Sequence, residues 1–215
     1  MAILPPPEGT RAAPRLPDPC RAPVDWHLGS VDRRFGLSVG EVKQAVEEAA
    51  QVWETEAGRT LFRYTPGRGM VIALAYDGRQ ALHQELRRLD SEVVQRRSQY
   101  ERTGVRREYA EATERYNQIV ERLQGRHSAV LLTETGNDGV QLRVVNRELT
   151  VFTFGSYEEL VHLLAHELGH SLGLGHLYTQ EALMHESYRH HDVTYPPRLH
   201  KADLVALNRA CGPFS

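Results

Sequence analysis

Residues 166–176 read H-E-L-G-H-S-L-G-L-G-H, and this stretch is more informative about function than any other part of the sequence. If the segment is helical, His166 and His170 lie one turn apart on the same face, so both imidazoles can bind one metal ion. Glu167 then projects beside them, close enough to act on a metal-bound water without being a ligand. The helix therefore predicts a metal site with its own catalytic base.

Two further residues extend the pattern beyond the helix. Gly173 can take the left-handed conformation that ends a helix, and such a turn can bring His176 back as a third ligand. Three neutral imidazoles with one open, water-filled position are typical of a catalytic zinc site, whereas a structural site is closed by four protein ligands. A site that binds zinc without turning over a substrate is the alternative. The intact ligands and Glu167 do not favour that alternative.

The pattern H-E-x-x-H-x-x-G-x-x-H followed by a methionine is the metzincin signature. Among metzincins the chain most closely resembles the matrixins, because Leu183-Met184 places its Met eight residues past the third histidine and Tyr188 follows four residues later. Matrixins usually read Tyr-Pro after the Met, where this chain has His185-Glu186. The rim of the specificity pocket therefore departs from the family pattern. Astacins have a ligating Tyr at the position of Glu186, which separates this chain from them.

The resemblance implies an α+β fold of the metzincin or zincin type, with a mixed twisted sheet, a long helix, the zinc helix and a C-terminal helix. It implies an endopeptidase with one catalytic Zn²⁺, held by three histidines, that hydrolyses peptide bonds of protein substrates through a zinc-bound water activated by Glu167. Met184 would form an apolar floor, and Leu183 and Tyr188 would border the pocket for a substrate side chain. The substrate would lie along an edge strand before Ser156. The alternative is a catalytically silent zinc-binding interaction protein, in which a helical hairpin predicted at 79–125 docks a partner.

Length, charge and hydropathy limit the domain count and the classes of partner that the chain can have. The chain has 215 residues and a net charge of −2, which suits one domain and gives no global field for nucleic acid. It contains no apolar run of ~18 residues, so no transmembrane helix is expected. The first residues lack the charged and apolar regions of a signal peptide, and a secreted, periplasmic or cell-envelope protein would have lost its signal. A monomer is expected.

Cys20 and Cys211 are the only cysteines, and they lie near the two ends of the expected domain. A disulfide between them would tie the entry segment to the last helix and imply an oxidising compartment. Two buried free thiols are an alternative. A further alternative is a cysteine switch, as in matrixin zymogens, although the context of Cys20 does not keep the order of that element.

Along the chain, residues 1–19 are rich in proline and predict an extended lead-in, and residues 20–215 predict the catalytic domain. A strand is predicted at 24–28. Ser38 and Glu41 form a capping box that begins a long helix, which ends near Gly58. Strands follow at 61–64 and 70–76. This order resembles the first part of a matrixin catalytic domain.

Residues 79–125 interrupt the domain with a segment that ordinary matrixins lack. Apolar residues recur there at steps of three and four, and Thr103-Gly104 breaks the pattern, so we expect an antiparallel hairpin of two coiled-coil-like helices. The upstream stripe is Leu82, Leu86, Leu89 and Val93, and the downstream stripe is Val105, Tyr109, Ala112, Tyr116, Ile119 and Leu123. The hairpin is a spacer arm packing only on itself, a docking arm for a partner or the cell envelope, or a substrate gate. Similar insertions in bacterial matrixin-like proteins point to a bacterial origin.

Strands are predicted after the insertion at 129–133, 140–145 and 149–154, with a hairpin turn at 136–139. Ser156 and Glu159 predict a second capping box, which begins the zinc helix. A last helix is expected from Lys201, with Asp203 as an acidic residue in its first turn.

His162 is interpreted as structural, with a role in supporting the ligands as the alternative, and the histidines after Met184 are interpreted as part of a solvated loop. His162 lies one turn before His166, but it is ~12 Å along the helix axis from His170, too far for both to bind one ion. A second metal site remains the alternative for the later histidines, which lack regular spacing: His185, His190, His191 and His200. The pattern by which animal matrixins hold structural zinc and calcium is missing before the zinc helix. One catalytic zinc and no calcium are therefore expected.

Overall fold

One five-stranded sheet and five α-helices make up the computed structural model, which describes residues 21–124, 126–137, 142–186 and 194–212. The α+β prediction is confirmed. In chain order the elements are β1 (Val24–Val31), α1 (Val39–Ala57), β2 (Phe62–Tyr64), β3 (Met70–Leu74), α2 (Gly78–Thr103), α3 (Arg107–Leu123), β4 (Ala129–Asn137), β5 (Leu142–Val151), α4 (Tyr157–Ser171) and α5 (Lys201–Cys211).

The sheet has the strand order β2-β1-β3-β5-β4. β1, β2, β3 and β5 run parallel to one another, and β4 runs antiparallel to its neighbour β5. β4 is therefore an edge strand of the described sheet. Such an edge leaves backbone N–H and C=O groups available to another extended chain.

The strand β5 corrects one expectation. The sequence predicts separate strands at 140–145 and 149–154, but the structure has a single strand from Leu142 to Val151. Its register against β4 shifts where Glu134 pairs with Asn146 and Thr135 pairs with Val144. The extra residue of this bulge breaks the alternation of apolar and polar residues, which made one strand look like two. The predicted turn at 136–139 lies partly outside the described residues.

The helix α1 follows the prediction and supports the helix α4. Ser38 and Glu41 form the capping box at its start, and Gly58 ends it with a left-handed φ of 64°. Trp53 is fully buried, and its indole N–H donates a 2.8 Å hydrogen bond to the Ala165 carbonyl of α4. The two helices pack against one another above the sheet core, so α1 fixes the position of α4.

The insertion forms the expected helical hairpin of α2 and α3. Gly104 ends α2 with a left-handed φ of 72°. Leu89 and Ala112 are buried between the helices, and Tyr100 stacks on Tyr109 near the tip. Val105 was expected in the seam but is 52% exposed, because it lies in the turn before α3 begins.

Candidate metal centre

The helix α4 carries the site and begins at Ser156, whose side chain accepts a hydrogen bond from the Glu159 N–H. The predicted capping box is only half formed. The Glu159 carboxylate turns away and accepts a 2.6 Å hydrogen bond from the Gly155 N–H and another of 2.6 Å from Arg87 of α2. A charged partner from the hairpin therefore replaces the local contact that the sequence pattern predicts.

Three histidines converge beyond the middle of α4. The Nε2 atom of His170 lies 3.1 Å from the Nε2 atoms of both His166 and His176. The candidate ligand atoms of all three lie within 4.8 Å of one another. Nitrogen ligands at Zn–N distances of about 2.0–2.1 Å in a tetrahedral shell lie about 3.3 Å from one another. The two Nε2–Nε2 distances of 3.1 Å are close to this value, so the three histidines fit a zinc ion.

Backbone carbonyls hold two of the imidazoles in the tautomer that a metal needs. Nδ1 of His166 donates to the Leu183 carbonyl at 2.7 Å, and Nδ1 of His170 donates to the Leu174 carbonyl at 2.8 Å. Because a carbonyl can only accept, each Nδ1 carries the proton and each Nε2 presents its lone pair to the others. Burial lowers the pKa of His166 to about 4 and also lowers the pKa of His170, which keeps both rings neutral.

The turn that returns His176 is built on a glycine, as expected. Gly173 has a φ of 92°, in the region that L side chains rarely adopt. Leu177 then donates its N–H to the Met184 carbonyl at 2.8 Å and forms a short bridge with His185. These contacts hold the segment after α4 against the later loop, and so place His176 beside His170.

A fully buried methionine lies directly under the metal-ligand helix. Met184 is 0% exposed, and a Cβ built on Gly169 would lie 2.4 Å from its Sδ and 2.6 Å from Cζ2 of Trp53. Met184 therefore packs against the back of α4 between the two helical histidines. This position is compatible with the apolar floor that the resemblance to matrixins implies.

Asp203 of α5 holds the segment that contains Leu183 and Met184, here called the methionine loop. The sequence interpretation missed this role. The buried carboxylate of Asp203 accepts N–H groups from Leu183 at 2.9 Å and Met184 at 3.0 Å, and also from His200 at 2.8 Å. Because Leu183 in turn accepts from His166, Asp203 is connected to a candidate ligand through one residue. The sequence indicated only an acidic first turn, since nothing local reveals a partner 20 residues away.

Glu167 is 8% exposed, and burial raises its pKa to about 7. It lines a cavity of about 740 Å³ together with His166 and His176. The carboxylate and two of the candidate ligands therefore face the same space.

The other predicted site residues fall in different places. Leu183 is 3% exposed and contributes its backbone to the site, whereas Tyr188 lies outside the described residues. His162 is largely buried and has a lowered pKa because of burial. Among the described residues, no second group of three candidate ligands is found.

Of the four later histidines, His185 and His200 are described, whereas His190 and His191 lie outside the described residues. His185 makes the bridge with Leu177, and His200 caps α5. Neither belongs to the group of candidate metal ligands.

A mixed sheet with an antiparallel edge strand, a helix bearing two histidines and a returning third histidine over a buried methionine together define a metzincin-type domain. The matrixin family model matches residues 22–210, and the chain belongs to the matrixin family. The family is one of zinc-dependent metallopeptidases. No curated protein matches this sequence. None of the helices in the described part of the chain is long and apolar enough to cross a membrane.

Proposed function

We propose that the protein is a zinc-dependent endopeptidase with one catalytic zinc ion, held by His166, His170 and His176. The observation that carries this proposal is the convergence of three imidazoles, two of which line the same cavity as the buried carboxylate of Glu167. A structural zinc site would be closed by a fourth protein ligand. Among the described residues, no fourth candidate ligand joins the three histidines.

The proposed chemistry divides between the ion and Glu167. Bound zinc would polarise the scissile carbonyl and lower the pKa of the attacking water. Glu167 accepts the proton of that water and returns it to the leaving amine. Burial of Glu167 in the cavity wall holds the carboxylate near the reacting atoms without making it a fourth ligand.

The peptide substrate is proposed to add to the sheet along β4. This strand is the antiparallel edge of the described sheet, and its first residue, Ala129, lines the same cavity as Glu167. An extended peptide pairing with β4 would be held by main-chain hydrogen bonds, so that side-chain pockets determine specificity. Val130 and Leu132, both exposed on β4, offer apolar contacts to such a peptide.

The disulfide and the location belong to the same proposal. Cys211 ends α5, no free cysteine is present among the described residues, and Cys20 lies outside them. We infer a Cys20–Cys211 disulfide and a secreted or cell-envelope protein. Non-reducing peptide mapping tests the bond, and recovery of two alkylated thiols without a reductant would exclude it.

Cleavage of unfolded casein tests the activity. The wild-type protein should cleave casein, lose the activity after chelation and recover it when one equivalent of zinc is added. His176→Ala should lose both zinc and activity, whereas Tyr178→Ala, at a 98% exposed residue of the same segment, should change neither. Zinc-loaded, folded wild-type protein that cleaves neither casein nor a broad peptide library would refute the proposal in favour of a silent zinc-binding protein.

A further inference from the structure

The base of the helical hairpin faces the cavity that contains the candidate metal centre. Leu86 of α2 and Val120 and Leu123 of α3, here called the hairpin wall, line the same 740 Å³ space as His166 and Glu167. All three are only partly buried, so their side chains still have accessible surface. The insertion is therefore a boundary of the site as well as an arm projecting from the domain.

Contacts at the base fix the hairpin to the strand and helix that build the site. Gln80 donates to the Phe154 carbonyl and accepts from the Phe154 N–H, both at 3.0 Å and both buried. The Arg79 guanidinium lies 3.3 Å from the centre of the Phe152 ring. Arg87 forms its 2.6 Å ion pair with Glu159 at the start of α4. A hairpin that packs only on itself would make none of these contacts.

The composition of the wall indicates what it can bind. Its three residues are aliphatic, and Leu163 of α4, one turn before His166, lines the cavity as well. A surface of this kind gains free energy by covering a large apolar side chain, roughly in proportion to the area removed from water. Polar residues line other parts of the cavity, among them the exposed Arg126 and His127. The aliphatic residues therefore form the apolar part of its lining.

We propose that the hairpin wall is a substrate subsite, which binds a bulky apolar side chain of a peptide whose backbone lies along β4. This inference rests on the proposed peptidase function and assigns part of its specificity to the insertion. The occupant is a peptide, because the wall is continuous with the candidate reaction centre and β4 borders the same cavity at Ala129. The hairpin then selects substrates by shape and needs no separate partner.

Substitution of the wall tests the subsite through substrate preference. Val120→Phe should fill the space and lower kcat/KM by about 10-fold or more for peptides with Leu or Phe at one particular position. Peptides with Ala at that position should be affected much less. Val94→Phe adds the same ring at a 61% exposed position of α2 and should leave the whole profile unchanged. Equal loss for every peptide, or no loss, would overturn the subsite, with thermal unfolding confirming that both variants are folded.

A second measurement does not depend on turnover. Glu167→Gln protein loaded with zinc is mixed with peptides that carry a benzoylphenylalanine at successive positions, and the cross-links are mapped by mass spectrometry. One position should cross-link to the hairpin wall. Cross-links confined to β4 and α4, or none at all, would overturn the inference. Cleavage by the wild type without hairpin cross-links refutes only the subsite, and hairpin cross-links without cleavage refute only the peptidase function.

Discussion

Replacing Gly169 with alanine tests whether the helix α4 rests directly on Met184 and Trp53. The new Cβ would lie 2.4 Å from Met184 Sδ and 2.6 Å from Trp53 Cζ2, far inside the optimal separation of about 3.5–4.0 Å for carbon contacts. Both neighbours are fully buried, so neither can move into solvent. Overpacking costs about 1–3 kcal/mol, and contacts this short belong at about 2–3 kcal/mol in that range, while alanine returns about 1 kcal/mol through helix propensity. We expect a net loss of about 1–2 kcal/mol in the free energy of unfolding.

Urea unfolding of the metal-free protein measures this difference, since bound zinc would add its own stabilisation. Gly40→Ala is the matched control, because Gly40 lies in the first turn of α1 with its nearest non-neighbouring contact at 3.8 Å. Helix propensity alone should make Gly40→Ala more stable by roughly 0.5–1 kcal/mol. A Gly169→Ala variant that is as stable as the wild type, or more stable, would contradict the close packing of α4 on Met184 and Trp53.

Three further predictions concern two supports of the site and one ion pair of the sheet. Gln80→Ala leaves the buried N–H and C=O of Phe154 without their partner and should lower the free energy of unfolding by about 2–4 kcal/mol, as measured in urea. Asp203→Asn removes one of the acceptors that hold the methionine loop and should weaken zinc binding by about 10–100-fold in a competition titration with a chelator. The pKa of Asp25 is held below its usual range, chiefly by the hydrogen bond from Arg63, so Asp25→Asn should cost about 1 kcal/mol at pH 7 and progressively less as the pH falls through the folded-state pKa.

The sign of the last effect follows from the lowered pKa in the folded state. The charged form of Asp25 stabilises the folded state above the unfolded pKa of ~3.9, and this contribution is lost as the pH falls through the folded pKa. A difference between wild type and variant that persists in acid would contradict it. For Gln80, the exposed Gln84 of the same helix gives the control, and Gln84→Ala should be neutral. If Asp203→Asn binds zinc as tightly as the wild type, Asp203 does not position His166 through Leu183.

The residues that could be interpreted from sequence are those whose role depends on local spacing. His166 and His170 lie four residues apart in a helix as predicted, Gly173 has the predicted left-handed conformation, and the predicted break at Gly104 ends α2. The capping box at Ser38 is local as well. In these cases the physical cause of the structure lies within one or two turns of the residue itself.

The features that were missed depend on contacts between distant segments. Glu159 left its predicted capping box because Arg87 of the insertion reaches it, 72 positions away in the sequence. Asp203 supports the methionine loop from a separate helix, and Leu86 lines the cavity because α2 is held against Phe154 and against Glu159 of α4. Hydrophobic periodicity predicted that the hairpin forms, but it carries no information on where the base docks.

The most direct test of the central claim is the activity and metal content of Glu167→Gln measured on one sample. This substitution keeps the shape of the side chain and removes its ability to accept a proton. The variant should retain one zinc per chain by elemental analysis, while kcat for a casein-derived peptide falls by about 10²–10⁴-fold. A variant that keeps its zinc and cleaves the peptide at the wild-type rate would contradict the assignment of Glu167 as the catalytic base.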